Sequence, residues 1–313
     1  RLKSHINISS LGHCQSLLGT ESIGTIVRLL RSLPAESKDV EELHYREALV
    51  TSLHAAAHIG DWQRLQPLIH FEQCYVSALL MRLPEWTLWR QAPKEMKMLE
   101  ALISRYAIAR PEAEKLVFGC TLYEITVKIA QEWRLSDVLV NALNAGRLPE
   151  MKKLMRWARK TLKQRSAHIS YRDEGVHRIE VSDTMRAFIA NNIAVEARTD
   201  WHGKGMRRCV MLLAAYFEIS EEAAWTRIRD TALALAREVP DPMTAQLAAG
   251  LLWPAKATPP RRIPEELRPE AVQRLYNNEP VKTVILRARA KSVQASTPAA
   301  TRNEQAGRIS PES

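Results

Sequence analysis

The chain has 313 residues, of which 46% are hydrophobic and 26% charged, as is typical of a globular protein of one or two domains. It has only 11 glycines, 7 tyrosines and 4 phenylalanines, which disfavours a turn-rich β-sandwich. The formal net charge of +10 favours anionic partners such as nucleic acid, acidic proteins or a membrane surface, although a mildly basic cytoplasmic protein has the same balance.

Helical periodicity begins near the start of the chain and predicts an all-α fold. An apolar stripe over residues 23–33 ends at Pro34, and a second stripe over 45–58 is followed by Gly60, which we interpret as the C-terminal signal of that helix. A helix over residues 72–83 is predicted to end at Pro84. Proline starts, apolar spacing and a serine cap predict four more helices, at residues 93–106, 111–118, 121–133 and 136–145.

A second helical region follows Gly146 and Pro149. Its predicted helices cover residues 151–164, 182–197, 206–217 and 220–238, and residues 169–181 are predicted to form a loop or a short hairpin. Beyond Trp253 prolines cluster, and from Ser292 the chain has almost no large apolar residue, which predicts a disordered tail. The predicted division is therefore a helical domain at 1–148, a helical C-terminal region at 149–253, and a Pro-rich linker with a disordered tail at 254–313.

Several common sites are excluded by motif and spacing. The four cysteines form no CxxC pair, which excludes a zinc ribbon or a thioredoxin-like site and fits a reducing cytoplasm. The chain has no GxSxG elbow and no P-loop, so neither a hydrolase nucleophile nor a nucleotide-binding loop is indicated. No apolar run is long enough to span a membrane and no signal peptide is recognisable, so we predict a cytoplasmic location.

Three stretches within residues 11–145 resemble the HDOD domain, a helical relative of the HD metal-dependent phosphohydrolases. They are Leu17-Leu18-Gly19 with the apolar residues after it, residues 73–83 with Val76-Ser77-Ala78-Leu79-Leu80, and residues 118–135 with Phe118-Gly119 and Trp133-Arg134-Leu135. The resemblance implies an HD-like helical bundle and a bacterial signalling or regulatory role. The family's first helices would lie before residue 1, so we expect a truncated start.

The resemblance also implies that the catalytic metal ligands of HD enzymes are substituted. The His-Asp position reads Met81-Arg82, the first-histidine position reads Glu47, and a later histidine position reads Leu122. A metal centre needs converging imidazole nitrogens and carboxylate oxygens, whereas arginine cannot ligate a metal and repels one. We therefore predict no catalytic residues, no cofactor, and a pseudoenzyme that binds another signalling protein or a small signalling ligand.

A weak metal candidate is the pair His54 and His58, which are four residues apart and share one helix face. Two histidines without a third ligand more often lie on a helix as ordinary polar groups than form a metal site. A residual metal-dependent phosphohydrolase is accordingly the least favoured hypothesis.

The segment 151–165 is a basic amphipathic helix with seven cations and no acid. One interpretation is an anion- or partner-binding surface, and with it a nucleic-acid-binding regulator as the alternative function. The other is a helix that docks its apolar face on the protein core and leaves its lysines solvated, which is the commoner case. The candidate binding residues are Lys152, Lys153, Arg156, Arg159, Lys160 and Lys163.

Overall fold

A computed structural model gives the fold and describes residues 11–29, 39–66, 70–135, 140–141, 143, 149–166 and 183–252. The regular secondary structure in these ranges is entirely helical, which confirms the all-α prediction. The helices are α1 (Leu11–Leu29), α2 (Val40–Leu65), α3 (Phe71–Leu80), α4 (Leu83–Gln91), α5 (Pro93–Tyr106), α6 (Arg110–Phe118), α7 (Leu122–Glu132), α8 (Met151–Ser166), α9 (Asp183–Thr199), α10 (Lys204–Tyr216), α11 (Glu221–Glu238) and α12 (Pro242–Ala249). None of the described helices is both long and apolar enough to cross a bilayer.

Capping residues fix several helix ends where the sequence predicts them. Proline occupies the first turn of α5, where its missing N–H is not needed. Thr121 and Glu124 form a reciprocal capping box at the start of α7, and the Ser220 hydroxyl accepts a hydrogen bond from the Ala223 amide at the start of α11.

Several predicted helix ends are wrong in detail. α1 already begins at Leu11 and α2 at Val40, before the predicted stripes at 23–33 and 45–58. Gly60 does not end α2, which continues to Leu65 because the next turn places Trp62 in the core, where its burial outweighs the low helix propensity of glycine. α3 stops at Leu80, and Pro84 lies in the first turn of a further short helix, α4. The short helix α12 was also not predicted; the Asp241 carboxylate caps it by accepting from the Met243 amide.

Some predicted segments lie outside the described residues. These are the loop or hairpin at 169–181, most of the helix at 136–145, and the linker and tail at 254–313.

The main hydrophobic core joins helices from both predicted regions. α2 packs against α3, α4, α9 and α11, and α9 also contacts α3. The fully buried side chains of Ile59 and Trp62 from α2 therefore share one cluster with Ile193 of α9 and Leu213 of α10. A second, smaller cluster lies among α4 to α7 and includes Trp89 and Leu99. The division at residue 148 stays a prediction, but helices on both sides of it bury their apolar faces together.

Candidate functional site

The most unusual polar feature of the described structure is a buried carboxylate surrounded by three arginines. Glu85, in the first turn of α4, is 1% exposed. The Arg82 guanidinium, in the turn before α4, hydrogen-bonds to one Glu85 carboxylate oxygen, and Arg110 Nη2 lies 3.4 Å from the same oxygen. Arg198 Nη1 lies 3.6 Å from the other oxygen. We call these four residues the Glu85 cluster.

Arg198 reaches the cluster from the end of α9, in the C-terminal helical region. Besides Glu85, its guanidinium lies 3.8 Å from carboxylate oxygens of both Glu47 on α2 and Glu100 on α5. Its side chain is 16% exposed, so solvent screens these charges only partly. One arginine thus ties the C-terminal region to three helices of the N-terminal region.

Arg110 extends the cluster toward α7. Its Nε donates to Glu114 at 2.9 Å, one turn later on α6. The second carboxylate oxygen of Glu114 accepts from the backbone amide of Leu122 at 2.9 Å. The chain of contacts therefore connects the first turn of α7 to the buried Glu85 carboxylate.

The charges in the cluster hold Glu85 ionised despite its burial. Burial alone would raise the pKa of Glu85, but the positive charges of Arg82, Arg110 and Arg198 and the hydrogen bond from Arg82 lower it to about 2. Burial lowers the pKa of Arg82. Burial also acts to lower the pKa of Arg110, but the negative charges of Glu85, Glu114 and Glu100 outweigh it, so this pKa is raised. The buried ions are thus compensated mainly by one another.

The cluster brings together positions at which the HDOD resemblance implies lost metal ligands. Arg82 belongs to it, Glu47 contacts it through Arg198, and Leu122 contacts it through Glu114. A guanidinium therefore lies at a position where the resemblance implies a lost ligand, and three arginines meet the one central carboxylate. This residue set does not fit a metal ion, because its positive charge repels a cation and guanidinium donates rather than accepts.

The weak metal candidates His54 and His58 lie elsewhere, inside the main core. Both side chains are fully buried, their ring centroids are 4.5 Å apart, and their ring nitrogens have no hydrogen-bond partner among the described residues. Burial lowers the pKa of His58 to about 3 and, together with the charge of His58, lowers the pKa of His54 well below its usual 6.5. The described residues contain no group of three or more His, Cys, Asp or Glu side chains placed to hold a metal ion.

A cavity of about 310 Å³ adjoins the Glu85 cluster at the junction of α2, α9 and α12. Arg198 and Glu47 line it, so one wall carries the charged residues that contact the cluster. Trp201 and Leu247 provide apolar lining, and the Trp201 indole N–H is already satisfied by the Leu247 carbonyl at 2.9 Å. A volume of this size is at the lower end of the range for small-molecule sites.

The six basic residues predicted as a binding surface are exposed on α8. The opposite side of this helix is buried in the main core through Leu154, Met155 and Ala158. The apolar face of α8 is therefore docked on the core, as the second interpretation predicts. The exposed cations remain candidates for binding.

Sequence reasoning identified Arg82 and Glu47 but missed Glu85, Arg110 and Arg198. The i,i+3 spacing of Arg82 and Glu85 and the i,i+4 spacing of Arg110 and Glu114 are local signals of ion pairs. No local signal indicates Arg198, because its partners lie on helices far away in the sequence.

The family model described as HDOD domain matches residues 3–148, slightly less than half of the chain, which confirms the resemblance read from the sequence. HDOD is an HD-like family associated with regulation. The helices α8 to α12 lie beyond the match. Neither the curated proteins nor the solved structures contain a match to the chain.

Proposed function

We propose that this chain is a non-catalytic signalling module that acts by binding a partner protein or a small signalling ligand. The observation that carries the proposal is the Glu85 cluster, in which Arg82 and Arg198 compensate the buried carboxylate. The three guanidinium groups around Glu85 repel a metal cation, and its lowered pKa of about 2 makes it a poor proton acceptor near neutral pH.

The cavity between α2, α9 and α12 supports small-ligand binding. It offers an apolar wall at Trp201 and charged groups at Arg198 and Glu47, a combination that can orient a small amphiphilic molecule. Its walls come from both the HDOD domain and the C-terminal region. A ligand bound there would contact both regions and stabilise their docking.

The first experiment tests the absence of metal-dependent hydrolysis. We expect the full chain, purified after incubation with manganese, iron or magnesium, to hold no stoichiometric metal and to leave bis(p-nitrophenyl) phosphate intact. If both metal and hydrolysis appear, His54→Gln and His58→Gln are assayed next. Stoichiometric metal together with hydrolysis that copurifies with the chain would overturn the non-catalytic proposal, and loss of the activity in these variants would place it at the two histidines.

A second experiment tests the cavity as the ligand site. Gln246 is an exposed residue of the cavity lining, so Gln246→Trp should close the cavity without disturbing the core. In a thermal-shift screen of nucleotides and amino-acid metabolites, a ligand of the cavity raises the Tm of the unmodified chain but not of this variant. Gln91→Trp, at an exposed position at the end of α4, is the matched control. A compound that stabilises all three proteins equally would place its site elsewhere.

A further inference from the structure

The exposed side of α8 carries a dense set of cations that the proposed function does not use. We call it the basic face; it consists of Lys152, Lys153, Arg156, Arg159, Lys160 and Lys163. The helix Met151–Ser166 contains no acidic residue. Its buried side packs on α10 in the main core, which holds the basic face toward solvent.

The cations of the basic face are arranged in a straight row. Lys152, Arg156, Arg159 and Lys163 are spaced by four, three and four residues, which places them on one line along a helix of 3.6 residues per turn. At about 1.5 Å per residue the row is about 16 Å long. Lys153 and Lys160 flank the row on one side.

Five of the six cations of the basic face, Lys160 being the exception, are not neutralised by a described carboxylate. Among the described residues, no carboxylate forms an ion pair with Lys152, Lys153, Arg156, Arg159 or Lys163. Some exposed cations on other helices are paired, as in Lys97–Glu41, Lys128–Glu132 and Arg229–Asp230, whereas others, such as Arg105 and Lys115, form no ion pair with a described carboxylate. The basic face differs from these in aligning four such cations on one helix. An uncompensated row of like charges costs stability, so a solvated face without a partner would gain from interspersed acids.

The neighbouring helix α10 enlarges the positive surface. Lys204, Arg207 and Arg208 are exposed on it, and α10 packs directly against α8. The positively charged surface therefore extends over the two adjacent helices α8 and α10.

We propose that the basic face binds the phosphate backbone of a nucleic acid. One strand of duplex DNA carries a phosphate about every 3.4 Å along the axis, so a row of about 16 Å spans about five phosphates. An anionic membrane fits less well, because the apolar side that would enter the lipid is already buried in the protein core. A compact acidic protein surface does not call for a linear row of cations. Contacts of this kind position a backbone and carry no sequence preference.

The test measures salt-dependent binding of the full chain to a fluorescein-labelled 20-base-pair duplex and a 20-nucleotide single strand by anisotropy. We expect binding at about 50 mM salt, with a slope of log K against log salt near −4 for about five phosphates. Removing two central charges in Arg156→Gln/Arg159→Gln should weaken binding at least tenfold and reduce the slope by about 2. The control Arg105→Gln/Lys115→Gln removes the same charge from exposed positions on α5 and α6 and should weaken binding less than threefold.

Three results would overturn the proposal. The first is no binding at about 50 mM salt, where phosphate contacts are strong. The second is equal weakening by the two double variants, which would show that the net charge of +10, rather than the basic face, attracts the nucleic acid. The third is binding of phosphatidylserine vesicles that is lost in Arg156→Gln/Arg159→Gln while nucleic acid binding is unaffected. The described lining of the cavity includes no residue of α8 or α10, so failure here leaves the proposed ligand site untouched.

Discussion

Arg198 Nη1 lies 3.6 Å from a carboxylate oxygen of Glu85, and the two residues come from different parts of the chain. Glu85 lies inside the segment that matches the HDOD family, and Arg198 lies beyond it. The C-terminal region therefore supplies one of the three cations that compensate the buried carboxylate of the HDOD domain. Arg46 and Asp241, joined at 2.7 Å, tie the same two regions together near the cavity.

Replacing the central carboxylate should destabilise the fold strongly. Glu85→Gln leaves three guanidinium groups close together without their shared anion, and breaking a buried ion pair costs about 3–5 kcal/mol. Urea unfolding monitored by circular dichroism measures this change. The control Glu132→Gln removes an exposed partner of Lys128 and should change the unfolding free energy by less than about 1 kcal/mol. A Glu85→Gln protein as stable as the control would mean that the cluster contributes nothing net.

The buried histidines should make the protein sensitive to acid. Their pKa values in the folded state are below 6.5, so the unfolded chain takes up protons first as the pH falls and stability decreases below about pH 6.5. If both protonate only on unfolding, the loss is up to about 2.7 kcal/mol per pH unit. Glu85 acts in a lower pH range. Its pKa is lowered from 4.5 to about 2, so the stability that it contributes is lost only below about pH 4.5.

The measurement is the urea midpoint between pH 7 and pH 5. The double variant His54→Leu/His58→Leu should flatten this dependence, because neither side chain can then take up a proton. His70→Gln, at an exposed position before α3, is the control and should retain the full dependence. An unchanged slope in the leucine double variant would contradict the assignment to these histidines.

A fragment ending at residue 148 should not fold on its own. It lacks α8 to α12, which cover the apolar faces of α2 and α3, and would expose core residues such as Ile59, Trp62 and Ala78. We expect helical circular dichroism without a cooperative thermal transition, together with binding of a hydrophobic dye. The fragment 1–253 should melt cooperatively. A sharp melting transition for 1–148 alone would show that the predicted division at 148 is also a folding boundary.

Replacing glycine by alanine should have opposite effects on stability at Gly60 and Gly250. Gly60 lies inside α2 with no heavy atom within 4 Å of an added Cβ, so Gly60→Ala should stabilise the protein by about 0.5–1 kcal/mol. At Gly250 the added Cβ would lie 2.8 Å from Cδ1 of Trp201, a buried ring held by its hydrogen bond to Leu247. Gly250→Ala should cost about 1–3 kcal/mol through overpacking. Thermal melts of both variants measure whether each substitution stabilises or destabilises the protein. A stabilising Gly250→Ala would show that the Trp201 ring can move.

The sequence by itself determined the helical fold class, most helix ends and the resemblance of its first half to the HDOD family. Periodicity, proline starts and side-chain caps act within one or two turns, so they are visible in a single sequence, as at Pro93, Thr121 and Ser220. The motif pattern was also sufficient to single out Arg82 and Glu47 as positions at which the HDOD resemblance implies substituted ligands. Gly60 misled the prediction because the burial of Trp62, a non-local effect, outweighed local propensity.

The tertiary structure decided which charges meet. Arg198 joins Glu85, Glu47 and Glu100 only because α9 packs along α2 and α3, and nothing in the residues next to Arg198 specifies that contact. The burial of His54 and His58 likewise depends on helices that follow much later in the chain. Local patterns set each helix, whereas the pairing of buried charges depends on how the helices pack, because electrostatic and apolar contacts join residues that are distant in sequence.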